Sequence, residues 1–305
     1  MFPFKKALKR VVKNPWYIPY GVARVFPRFF PDSLFVRLMY KADLGKWPNL
    51  KHPRRFTEKL QWIKLHDHNP LYTMLVDKIQ VKDYIIKKLG PEYVAKLLGV
   101  WNRPEDIDFG TLPDRFVLKC NHMGGGAVLI CKDKKTFDIE NAKRTLARHL
   151  KHCIYLDCRE WPYKDITHKI FAEEYMEDYT GQLIDYKLLC FHGKPELMRV
   201  ASNRFSRHNF NFYDMEGNEL LDFHSTVGAR NPDLKLDLSM LNEFKRVAAI
   251  LSEGIPHVRV DLYRVGEQIK FGEMTFFDSA GTDNYGSDEL DLKFGSLIHL
   301  SIDEK

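Results

Sequence analysis

The sequence predicts an α+β fold built on antiparallel strands, and three observations predict it. Short apolar runs meet at glycine-bearing turns, at residues 124–126, 192–195 and around 266, as the strands of hairpins do. Stretches with helical spacing flank these hairpins, which argues against a doubly wound parallel sheet. The 305 residues, 44% hydrophobic and 13% aromatic, supply enough apolar material for one large or two modest domains.

Residues 1–55 form a basic, aromatic N-terminal segment in which Pro15, Pro19, Pro27 and Pro31 permit only short helical pieces. From Phe56 to Leu89, the spacing of Leu60, Ile63, Leu65, Leu71, Leu75, Ile79, Tyr84 and Ile85 predicts helices, broken at Asn69-Pro70. Pro104–Asp114 is acidic and punctuated by Gly110 and Pro113, as a linker is. Phe116–Cys120 and Ala127–Cys131 then read as a hairpin around Gly124, Gly125 and Gly126, and residues 138–153 as a helix. Strands follow at Ile170–Met176, Tyr186–His192 and Leu197–Ala201. Residues 240–252 put Leu241, Phe244, Val247, Ala248 and Leu251 on one helical face, stopped by Gly254 and Pro256. Val258–Tyr263 and Ile269–Phe277 close the pattern as a hairpin. The expected division is 1–55, a helical part 56–114, a lid subdomain 115–180 and a core subdomain 181–305.

Charge is unevenly spread. The first 60 residues hold fourteen Lys or Arg against Asp32, Asp43 and Glu58, a surplus of eleven behind a total of +6. Basic residues interleaved with Phe2, Phe4, Trp16, Tyr17, Tyr20, Phe26, Phe29 and Phe30 suit an anionic membrane surface or a nucleic acid, or an amphipathic helix packed on its own domain with a solvated basic face. No run of eighteen uncharged apolar residues is present, and the first residues lack the apolar core of a secretory signal. Five irregularly spaced cysteines fit a reducing compartment rather than a disulfide scaffold. The expectation is a cytoplasmic protein.

Several residues carry chemistry. Lys119 ends a strand beside the glycine turn, where close backbone approach and a cation suit phosphates, although no P-loop pattern is present. Arg259 and Asp261 share one strand face, and Glu273 and Thr275 share one face of the partner strand; such oxygen donors suit Mg²⁺. A three-residue loop, Gly266-Glu267-Gln268, would set Asp261 opposite Glu273, whereas a two-residue loop would point them apart. Ile170–Glu177 is an apolar strand ending in acids, followed by Asp185-Tyr186-Lys187. Asp106-Ile107-Asp108 matches the D-x-D of sugar-nucleotide transferases but sits in a loop-like stretch. Cys120 beside Lys119, the group His149, His152, Cys153 and Cys158, and the cluster Arg204, Arg207 and His208 are weaker candidates.

In their order, these segments resemble the ATP-grasp superfamily, and more closely TupA-type ATP-grasp proteins of bacterial surface-polysaccharide synthesis. The resemblance is carried by FTEKLQWIKL (56–65), NPLYTMLVDK (69–78), FVLKCNHMGGG (116–126), REWPYK (159–164), AEEYMED (172–178), DYKLLCFHGKP (185–195), NFYD (211–214), RVDLY (259–263) and FGEMTFF (271–277). It implies an ATP-grasp fold with a glycine-rich lid and an ATP- and Mg²⁺-dependent carboxylate–amine ligase. The implied partners are ATP, an amino acid or other amine, and a uronic-acid-containing glycan. Peripheral contact with an anionic membrane is expected, and a nucleic-acid partner is not. Lys78 and Lys119 are implied as the ATP lysines, with Gly124, Gly125 and Gly126 over the phosphates. Glu173 is implied at the adenine amino group, Met176 against the adenine, Glu174 and Tyr175 as main-chain contacts, and Asp185 on the ribose. Asp261 and Glu273 are implied as metal ligands and Arg259 as the catalytic arginine. Thr275 stands where many ATP-grasp ligases carry a metal-ligating asparagine.

Overall fold

The computed structural model describes residues 11–12, 14–124, 127–181, 183–203, 208–225 and 228–301. The chain forms two compact units, each drawn from separated segments. One comprises Met1–Asn69, Cys153–Lys164 and Phe277–Lys305; the other comprises Pro70–His152 and Asp165–Phe276.

The second unit holds two antiparallel sheets. The first contains β1 (Leu97–Trp101), β2 (Phe116–Cys120), β3 (Leu129–Cys131) and β4 (Ile170–Glu174), in the order β1-β4-β2-β3. The second contains β5 (Asp185–Phe191), β6 (Lys194–Ser202), β7 (Asn209–Tyr213), β8 (His257–Val265) and β9 (Gln268–Thr275), in the order β7-β6-β5-β8-β9. The expected α+β class, with its hairpins β2-β3, β5-β6 and β8-β9, is what the chain adopts.

Alternation along β2 divides the first sheet into two faces. Phe116, Leu118 and Cys120 are fully buried with Ile170, Ala172 and Leu146 of the helix Ile139–Leu150, while Val117 and Lys119 turn to the other side. That helix starts where Asp138 caps it, its carboxylate accepting the N–H of Asn141 at 2.9 Å. In the second sheet the ring of Tyr186 stacks on Phe244 at 4.4 Å, so Tyr186, Leu188 and Cys190 face the helix Leu241–Ser252. Their strand neighbours Asp185 and Lys187 therefore face away from it.

Register then decides which charges meet. Arg199, Lys187, Asp261 and Glu273 are direct partners across β6, β5, β8 and β9, one row on one face. The turn between β8 and β9 is the two-residue one, because Val265 pairs with Gln268. By itself that turn would set Asp261 and Glu273 on opposite faces. They are nevertheless partners, because the register shifts between Asp261 and Leu262 and leaves Gly272 as an extra, unpaired residue. A Cβ on Gly272 would lie 3.0 Å from the Asp261 carbonyl oxygen and 2.8 Å from the Tyr263 ring. Gly272→Ala is therefore expected to cost about 1–3 kcal/mol in urea denaturation, as overpacking does. A variant as stable as the parent would show that the bulge tolerates a side chain.

The first unit is tied together by polar groups. The helix Phe56–His66 buries Thr57, Lys59, Gln61 and Lys64. Thr57 donates to Asp291 (2.8 Å), Lys59 to the Ile298 carbonyl (2.6 Å), Gln61 to the Gly281 carbonyl (2.8 Å), and Lys64 to the Cys158 and Ala280 carbonyls (3.0 and 2.9 Å). Each buried donor thus reaches a segment distant in sequence, which offsets its loss of water.

Candidate functional site

Within the second unit, a cavity of about 220 Å³ is lined by Lys78, Lys119, Lys132, Glu173 and Glu273 together with Val117, Met123, Val128, Ile130, Met176 and Leu183. Apolar walls with a few convergent charges suit a ligand that is part aromatic and part anionic. Glu174, Tyr175 and Gly124 also border it. A Cβ on Gly124 would meet no atom of the chain within 4 Å, so the space beside this backbone is open. Gly125 and Gly126 lie outside the described residues, as do Arg204 and Arg207.

Lys78 is held from both ends. Its N–H donates to the Asn121 carbonyl (3.0 Å), and its ammonium donates to Glu273 Oε2 (2.8 Å). Asp77 fixes the turn before it: its carboxylate accepts the N–H of Ile79 (2.8 Å) and the side-chain amide of Asn121 (2.9 Å). Neither Asp77 nor Asn121 stands out in the sequence. The readable signal is an aspartate three residues before the helix Gln80–Lys88, where a short acceptor takes the N–H groups of Ile79 and Gln80.

Glu173 lies between two lysines. Lys119 pairs with one carboxylate oxygen and Lys82 with the other, both at 2.6 Å, and Lys82 also donates to the Ala95 carbonyl (2.8 Å). Burial alone would raise the Glu173 carboxyl, but the two ammonium groups outweigh it and hold it down at about 2. Both oxygens of the residue expected at the adenine amino group are therefore engaged by lysines. Lys82 was missed because it reads as one solvated lysine of an amphipathic helix.

The second sheet contributes the densest charge cluster. The Arg259 guanidinium donates to both oxygens of Asp261 (2.6 and 2.8 Å), to Thr275 Oγ1 (3.0 Å) and to Glu273 (3.4 Å). The Lys187 ammonium bonds Asp261 and lies 3.3 Å from Asp185. Burial would raise the Glu273 carboxyl, yet Lys78, Lys187 and Arg259 hold it well below the usual range. The structure thus brings Lys78, Arg259, Asp261, Glu273 and Thr275 together. Lys187 joins them, and its signal was a charged residue between Tyr186 and the apolar run Leu188–Phe191. Asp185 is buried beside Lys187 and does not line the cavity.

Tyr175 is covered by the Arg115 guanidinium, 4.2 Å from the ring centroid, and Arg115 pairs with Glu177 at 2.7 Å. Asp106 pairs with Arg103 (2.6 Å) and Asp108 accepts the N–H of Gly110 (2.8 Å), so both shape a local turn. Cys120 is buried, which pushes its thiol up to about 12. Among the described residues, no three His, Cys, Asp or Glu side chains gather as a metal-binding group.

At the root of the glycine turn, His122 stacks flat on His168 with ring centroids 3.5 Å apart, and it is fully buried. Burial first, and the neighbouring His168 second, push it down to about 4. The unfolded chain gains this proton near pH 6.5, the folded chain only near 4. Folding stability from this group is complete above pH 6.5 and falls as pH drops towards 4, by up to about 3 kcal/mol. Thermal denaturation at neutral and mildly acidic pH should show a smaller loss for His122→Gln than for the parent; equal losses would count against it.

The model of the family described as TupA-like ATPgrasp matches residues 58–299, more than half of the chain. Among solved structures, the chain is similar to the D-alanine–D-alanine ligase from Bacillus anthracis complexed with ATP. Identity is 14% over 73% of this chain and 63% of that one, with a TM-score of 0.41. It is also similar to D-cycloserine synthetase DcsG, at 16% identity over 75% of this chain and 70% of that one, TM-score 0.40. A third similarity is to N5-carboxyaminoimidazole synthase from Aspergillus clavatus, at 12% identity over 67% of this chain and 44% of that one, TM-score 0.40. The chain spans less than two thirds of the length of the Bacillus anthracis ligase. No curated protein matches it.

Proposed function

The chain belongs to the TupA-like ATP-grasp family, and from that premise we propose that it is an ATP-dependent carboxylate–amine ligase that joins an amino acid to a uronic acid of a capsular or envelope glycan. The observation that carries the ligase reading is the convergence of Lys78, Lys119 and Glu273 on one partly apolar cavity bordered by Glu174–Met176. An adenine fits the apolar walls and the open backbone after β4, and the lysines answer the phosphates. Glu174 and Tyr175 offer main-chain groups, and Met176 an apolar surface. Gly124 leaves backbone room for the phosphates, and Asp185 is the proposed ribose contact.

In the proposed reaction a substrate carboxylate oxygen attacks the terminal phosphorus of ATP and ADP leaves. The amine then attacks the acylphosphate carbonyl, inorganic phosphate departs, and an amide remains. Negative charge builds on the phosphoryl oxygens, and Lys78, Lys119 and Arg259 supply fixed positive charge for it. Lys82 gives Glu173 a second cation, so Glu173 does not depend on Lys119 alone and the Lys119 ammonium can be shared with a phosphate. Asp261, Glu273 and Thr275 are hard oxygen donors on facing strands, a set that fits Mg²⁺, and they are the residues that would hold it. When bound, that ion supplies further charge neutralisation to the phosphates. Lys78, Lys187 and Arg259 already balance the two carboxylates, so the pair gains affinity for a dication with the added negative charge of the nucleotide.

The acceptor glycan is proposed to be presented at the cytoplasmic membrane face and met there reversibly. Among the described residues, no helix is long and apolar enough to cross a membrane. Incubation with ATP, Mg²⁺, a panel of amino acids and free uronic acids tests the function. ADP release coupled to an amide detected by mass spectrometry is the expected result. A nucleoside diphosphate released only from a sugar nucleotide would overturn it.

A further inference from the structure

From the outer face of the helix Tyr17–Val25 and the turn after it, we infer a docking surface for an anionic lipid bilayer. This deepens the membrane contact proposed above, but its test needs no ligase activity. The helix buries Ala23 and lays Tyr20 on Phe35, ring centroids 5.7 Å apart, against the helix Asp32–Leu44. Its opposite face should then be polar, as on an ordinary surface helix. Instead Ile18, Val22 and Val25 recur there at helical spacing, and Phe26 and Phe29 extend the patch past the helix end. Val25 is 69% exposed, Phe26 54% and Phe29 83%, whereas the other described phenylalanines are buried or partly buried. A contiguous apolar face of this kind marks an interaction surface.

Charge selects the occupant. Arg24 and Arg28 are exposed beside the patch, and residues 1–30 carry seven Lys or Arg and no Asp or Glu. The first acid, Asp32, is already engaged by Tyr155 (2.7 Å) and Arg159 (2.9 Å). Two copies of this chain meeting face to face would bring like charges together, whereas an anionic lipid surface attracts them all. The side chains would enter the headgroup–acyl boundary with the helix lying in the membrane plane, a surface contact and not a span.

Sedimentation of the full chain with phosphatidylglycerol–phosphatidylcholine vesicles tests this, with pure phosphatidylcholine vesicles as the comparison. Binding is expected to the anionic vesicles, and to weaken with added salt. The triple variant Val25→Ser, Phe26→Ser, Phe29→Ser alters exposed positions only and should keep its melting temperature and ATP turnover. Its vesicle affinity should fall about tenfold or more. Equal binding by parent and triple variant would overturn the assignment. So would a parent that binds no vesicle and sediments as a dimer which the triple variant dissociates. A third variant, Phe2→Ser, Phe4→Ser, Leu8→Ser, identifies the chain's own first residues as occupant if it binds vesicles more tightly than the parent. Vesicle binding with no ligase chemistry would leave this surface standing and the ligase reading overturned.

Discussion

Replacing Glu273 by glutamine is expected to lower ATP turnover about a thousandfold, or about 4 kcal/mol of transition-state stabilisation. Glutamine keeps the volume and removes the charge that Lys78 and Arg259 meet at 2.8 and 3.4 Å. The Glu273 side chain is a quarter exposed, at 25%, so water can replace much of what the lysine loses. The fold should therefore survive, with a melting curve close to that of the parent. ADP release under saturating ATP and Mg²⁺ is the measurement. A variant that turns over at near the parental rate would remove Glu273 from the phosphate end of the site.

Asp261→Ala should behave differently, although the two carboxylates face each other across one register pair. Asp261 is 1% exposed, and both its oxygens are taken by Arg259, with Lys187 as a third donor. Deleting it leaves two buried cations with their longer ion pairs, Arg259 to Glu273 (3.4 Å) and Lys187 to Asp185 (3.3 Å), a loss of about 3–5 kcal/mol. Urea denaturation should register this directly. The double variant Asp261→Ala, Lys187→Met should recover part of the loss, because one of those two charges goes with it. A single variant within about 1 kcal/mol of the parent would show that the cluster rearranges and that Asp261 is not its centre. Loss of turnover in this variant is thus ambiguous unless stability is measured beside it, whereas loss in the Glu273 variant is not.

The helices and strands were legible because their patterns are local. The apolar run Phe116–Cys120, the helical stretch 138–153 and the one-faced spacing of Leu241 to Leu251 each act within a few residues. The glycines at 193 and 266 take positive φ, so their turns too were written locally. The FTEKLQWIKL segment was legible as a helix but not as a hub. Its Thr57, Lys59, Gln61 and Lys64 look like a solvated face, and their partners Asp291, Ile298, Gly281 and Cys158 lie far along the chain.

The sequence by itself determined the family, the antiparallel α+β class and the residue types of the candidate site, because motif order and short-range periodicity need no knowledge of the fold. Only the tertiary structure decided which charges meet. The turn at Gly266-Glu267 taken alone would part Asp261 from Glu273, and one unpaired residue, Gly272, brings them back to the same face. Lys82 on Glu173 and Lys187 on Asp261 are likewise contacts between separate elements. The physical reason is that strand register and buried ion pairs depend on distances between segments that the chain's local spacing does not encode.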